Sequence, residues 1–132
     1  MKTYTYNNLT VTAERRKFLD AYGNPLYIIK PINFKMVHLD FAHRNYLSKG
    51  YYLIQSYNID DDMIRFMERL DQETRDGWKV NLPANDWDKH YNLVNEMTGQ
   101  HLLIDINDID SLDELTNIDI LLQLAWKKNL QH

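Results

Sequence analysis

The segment His38-Leu39-Asp40-Phe41-Ala42-His43 holds the residue types that most readily bind a metal. Two imidazoles and a carboxylate suit Zn²⁺ or Fe²⁺. On a regular strand His38 and Asp40 share a face and His43 takes the other, so the spacing supplies two ligands rather than a site. Structural or surface histidines are the preferred reading, and a metal-dependent hydrolase around His38, Asp40 and His43 is the third-ranked functional expectation. No metal or other cofactor is expected.

A second pairing is Asp86 with His90. At i, i+4 on a helix, a carboxylate can tune an imidazole as a general base. The same spacing is an ordinary helix-surface pair, and that reading is preferred. The run Asp105-Ile106-Asn107-Asp108-Ile109-Asp110 resembles a calcium loop only in composition. A loop starting at Asp105 would place Ile109 where an oxygen ligand belongs and Asp110 where glycine belongs, so the match fails. The four glycines are isolated, which leaves no glycine-rich phosphate loop and no GxSxG elbow. There is no cysteine, hence no thiolate chemistry and no disulfide.

Charge is more informative. The chain carries a net −4, but residues 1–50 have eight Lys/Arg against three acids, and residues 51–132 have seven against sixteen. Asp105, Asp108, Asp110, Asp113, Glu114 and Asp119 form the acidic stretch, a candidate surface for a basic protein partner. Arg15, Arg16, Lys17, Lys35 and Arg44, interleaved with tyrosines, form the opposite candidate, a nucleic-acid surface. A pI near 5.7 weighs against a dedicated nucleic-acid binder.

These residues need elements to position them. Lys2–Tyr6 and Leu9–Ala13 alternate around Asn7-Asn8, predicting a hairpin with a type I′ turn. Its register pairs Tyr6 with Leu9 and Tyr4 with Val11 on an apolar face, and threonines on the other. For residues 13–22, a helix capped by Thr12 is favoured over a hairpin turning at Gly23-Asn24. Strands are expected at 26–30, 34–41 and 51–57. Met63, Phe66, Met67 and Leu70 then form a helical stripe behind Asp60-Asp61-Asp62. A strand follows at 78–82, then a helix with Trp87, Tyr91 and Val94 on one face, closed by Gly99. A strand at 101–106 and a capping box at Ser111/Glu114 precede a last helix capped by Thr116.

On that last helix Ile118, Leu121, Leu122 and Ala125 make a core stripe, with Ile120, Leu124 and Trp126 outside it. Such a helix is deeply buried or seeks a partner, so a homodimer is also considered.

The expected architecture is α+β: an antiparallel β-rich N-terminal half, then strand–helix alternation with about three helices on one mixed or antiparallel sheet. One domain spanning residues 1–132 is expected. The absence of a signal-type N-terminus and of cysteine points to the cytoplasm, and no membrane span is expected. The scarcity of Ala, Gly, Pro and Arg beside abundant Asn, Ile, Lys and Asp points to AT-rich coding. The expected function is non-catalytic: an inhibitor or immunity-type accessory protein of bacterial or phage origin that occupies a partner protein. A nucleic-acid-binding regulator is the alternative.

Overall fold

The computed structural model describes residues 1–42 and 44–130, with the side chains of Leu112 and residues 127–130 left out. The fold is α+β with a β-rich N-terminal half, and all strand pairings are antiparallel. Among the described residues it has two α-helices rather than about three, and two sheets rather than one. The chain divides into two compact units, 1–75 and 76–132.

In the first unit, strands β1 (Lys2–Tyr6), β2 (Leu9–Arg15), β3 (Leu26–Pro31), β4 (Arg44–Tyr46) and β5 (Tyr51–Gln55) form a sheet ordered β1-β2-β3-β5-β4. Helix α1 (Ile59–Thr74) packs on one face. The first hairpin has the register read from its alternation, with Tyr4 opposite Val11 and Tyr6 opposite Leu9. Thr5 and Thr10 hydroxyls meet at 3.1 Å on the other face. Its turn departs from type I′, which needs positive φ at both central residues: only Asn7, at φ 54°, has it.

The helix expected over 13–22 is instead the end of β2 and a turn. The amide of Arg16 still donates to Leu26 O, extending the pairing with β3. Asp20 then organises the turn by accepting from the amides of Tyr22 and Asn24. Local hydrogen bonding by a short acid competes with helix here, and Gly23 at φ 83° completes the reversal.

The strand expected at 34–41 does not join the sheet. Its alternation survives, with Val37 and Leu39 buried and His38 and Asp40 exposed. Side chains replace the ladder. The Tyr52 hydroxyl donates to Val37 O at 2.5 Å and accepts from Val37 N at 3.1 Å. Asn45 does the same for Leu39. Burial pushes the Tyr52 phenol up to about 12.

Helix α1 is capped by Asn58, whose side chain accepts from Asp61 N, and Asp60, Asp61 and Asp62 fall in its first turn, where they oppose the helix dipole. Its buried stripe is Met63, Phe66, Met67 and Leu70, as the periodicity indicates.

The second unit is a meander of β6 (Trp78–Asn81), β7 (His90–Asn95) and β8 (His101–Asp105), with helix α2 (Ile118–Leu130) on its apolar face. Trp78, Leu93 and Ile104 meet Leu121, Leu122 and Ala125 there. The helix expected between Asn85 and Gly99 is absent. Residues 90–95 are the middle strand, and Gly99, at φ 73°, closes the β7–β8 turn rather than a helix. Asn95 fixes that turn, accepting from the amides of Met97 and Thr98. Tyr91, Leu93 and Asn95 share the core face, a period of two that helical spacing obscures. At the last helix the cap is Asn117, which accepts from Asp119 and Ile120, not Thr116.

Candidate functional site

The acidic stretch occupies the surface run that follows β8. Two short 3-10 turns, Ile106–Asp108 and Leu112–Thr116, hold it, and it ends in the first turn of α2. Part of its charge is structural. Asp105 caps the first turn by accepting from Asn107 N at 2.9 Å. Glu114 accepts from Asp110 N at 3.1 Å, so the capping-box acid bonds one residue upstream of Ser111, whose side chain makes no cap bond. The carboxylates of Asp110 and Asp113 accept no hydrogen bond among the described residues, and both are exposed. Asp108 and Asp119 are exposed as well.

An aromatic residue that the spacing assigns to a helix face lies in a loop tied to the start of this run. Trp87 is 81% exposed, in the loop joining β6 to β7. The loop's last residue, Lys89, accepts from Ile106 N at 2.9 Å, and His90 pairs with Asp105. The loop is thereby tied to the start of the acidic run, and it adds Asp86 and Asp88. The signal for Trp87 was available in the Pro83-Ala84-Asn85-Asp86 loop chemistry just before it. Leu82 is exposed at the loop's other end.

The residues proposed for a partner on α2 are placed unequally. Ile120 is 37% exposed. Leu124 is half-buried, and Trp126 packs against the core of its unit.

Of the basic set, the sheet brings together Arg16 and Arg44 and adds residues outside it. Arg44 reaches the Tyr46 hydroxyl at 3.4 Å, and Tyr46 lies 5.0 Å from the Tyr51 ring. Lys49 sits over Tyr46 at 5.6 Å. The Arg44 hydrogen bond, with smaller help from the Lys49 and Arg16 charges, pulls the Tyr46 phenol below its ordinary range. Arg15 alternates to the opposite face of β2 from Glu14 and Arg16. Lys17 and Lys35 are exposed.

The imidazole of His38 meets Asp40 at 3.0 Å, both exposed. His43 lies outside the described residues. Among the described residues no three His, Cys, Asp or Glu side chains gather as a metal-binding group. Asp86 and His90 are not on one helix: His90 begins β7, and the carboxylate near it is that of Asp88, at 3.8 Å. No helix of the described residues is long and apolar enough to cross a membrane.

No protein-family model matches the chain, and no curated protein or solved structure shows significant similarity to it.

Proposed function

We propose that the chain is a small binding protein that occupies a basic partner protein through the acidic, aromatic surface of its second unit. The observation that carries this reading is the loop bearing exposed Trp87, anchored through Lys89 to the turn at Ile106–Asp108. Tryptophan is the side chain most often found at the energetic centre of protein interfaces, and surrounding charge steers the encounter. Asp110 and Asp113, free of capping duty, supply that charge. An inhibitor or immunity-type accessory protein works in this way, and the AT-rich coding bias fits a bacterial or phage source.

Affinity capture from a low-GC bacterial lysate, with and without nuclease, tests the reading. A captured protein should survive nuclease treatment. Trp87→Ala should then speed its dissociation, and Asp110→Asn with Asp113→Asn should slow its association. Capture indifferent to all three substitutions would refute the reading.

A second reading has its own observation. Arg44, Lys49 and Arg16 around the Tyr46–Tyr51 pair form a cationic stacking platform of the kind single-strand binders use. Nuclease-sensitive capture, lost on Tyr46→Ala, would favour it.

A further inference from the structure

The first unit contains a cleft of about 530 Å³ whose lining neither reading uses. Its apolar part is Phe41, Ile54 and Phe66, and its charged part is Asp62, Arg65 and Arg69 from α1. Arg65 and Arg69 stand four residues apart, so their side chains rise from the same side of the helix. Like charges in that relation repel slightly, which makes the pair a cost to the isolated helix. Neither guanidinium makes an ion pair or hydrogen bond among the described residues. Three acids of α1 are engaged with other groups: Asp60 with Lys2, Asp71 with Arg75, and Asp62 with the Ser56 hydroxyl.

Arg69 is nonetheless held in place. Its guanidinium lies 4.2 Å from the Phe41 ring centre, and Phe41 packs edge-on against Phe66 at 5.5 Å. Stacking restrains the guanidinium plane and leaves its N–H donors unsatisfied by protein. A fixed cation with open donors, a second cation one turn away and an apolar wall suit a small anion with an apolar body. The volume falls within the range of small-molecule sites.

We propose that this cleft binds a small organic anion, a carboxylate or monophosphate on an aromatic or aliphatic body. The head group takes hydrogen bonds from Arg65 and Arg69, and the body lies against Phe41, Ile54 and Phe66. Asp62, in the same lining, disfavours ligands of high negative charge. The proposal is independent of the acidic-surface reading, which rests on residues of the second unit.

The test is a titration of the full chain with 1-naphthyl phosphate, 1-naphthoate, neutral 1-naphthol and inorganic phosphate, followed by fluorescence or calorimetry. One saturable site for either naphthyl anion, with naphthol and inorganic phosphate each binding about tenfold or more weakly, is expected. The two anions separate a phosphate preference from a carboxylate preference. Arg65→Gln with Arg69→Gln should weaken the preferred anion by about tenfold or more and leave naphthol unchanged. Glutamine keeps the helix propensity, and both positions are exposed. Asp62→Asn gives an independent check and should tighten the anion. Equal binding of naphthol and the anions, no saturable binding, or an affinity unmoved by the arginine substitutions would overturn the proposal.

Discussion

In the first unit the acids are mostly spoken for. Asp60 pairs with Lys2 and Tyr4, Asp71 with Arg75, Asp61 with the Asn58 cap, and Asp20 holds a turn. Eleven Lys/Arg there face nine Asp/Glu, a net of +2. The second unit has four against ten, a net of −6. Asp88, Asp105 and Glu114 each take a backbone N–H, but Asp110 and Asp113 take none among the described residues. Net charge therefore overstates the surface of the second unit. The charges worth testing are those left after the caps and turns are accounted for. The tyrosines divide as sharply, with eight of nine in the first unit.

The cores differ in size too. Among the described residues twelve buried ones form the first and six the second, so a single deletion should weigh more on the second. Leu121→Ala should cost about 2–5 kcal/mol, the scale of a buried leucine removed with partial collapse. Urea denaturation with hydrogen exchange on the β7 amides would measure it. Protection of β7 left unchanged would contradict the packing of α2 on this sheet.

Next in size is Tyr52→Phe. It strips the partner from both Val37 backbone groups, at about 1–3 kcal/mol, and should raise exchange across 35–41. A neutral result would mean that burial of Val37 and Leu39 suffices to hold that segment.

The tyrosines of the first unit should titrate in classes. Tyr4 is pushed up to about 12 by burial and by its hydrogen bond to Asp60, and Tyr52 to about 12 by burial. A raised folded pKa means that this contribution to stability is fully present below about pH 10 and fades as pH climbs to about 12. Absorbance at alkaline pH should show two late-ionising phenols and an early one, Tyr46. Uniform ionisation near pH 10 would contradict the buried hydroxyl of Tyr52.

The smallest effect is expected at the first turn. Asn7→Ala removes the short polar side chain that lets asparagine tolerate φ 54°, costing about 1 kcal/mol, whereas Asn7→Gly should be neutral or better. Equal melting temperatures for the two variants would argue against the positive φ.

The parts of this fold readable from sequence were those where one local signal dominates. The first hairpin announces itself by strict alternation, and α1 by an apolar stripe behind an acidic first turn. Residues 85–99 misled because Trp87, Tyr91 and Val94 fit a helical stripe by spacing alone, while Gly99 serves turns as well as helix ends. Residues 34–41 kept strand alternation but lost the ladder, since Tyr52 and Asn45 satisfy their backbone from a distance no periodicity reports. The same limit applies to the candidate sites. The acidic run was visible as composition, but which acids act as caps, the exposure of Trp87 and the Arg65–Arg69 cleft depend on tertiary placement.

The most direct test of the acidic surface is one double variant, Asp110→Asn with Asp113→Asn, read two ways against a captured partner. Association should slow by about tenfold at low salt, and the difference should shrink as salt is raised to physiological strength, where screening acts over about 8 Å. Thermal stability should stay at the wild-type value, because neither carboxylate holds a backbone group. An unchanged association rate at every salt concentration, or a lowered melting temperature in its place, would contradict the account.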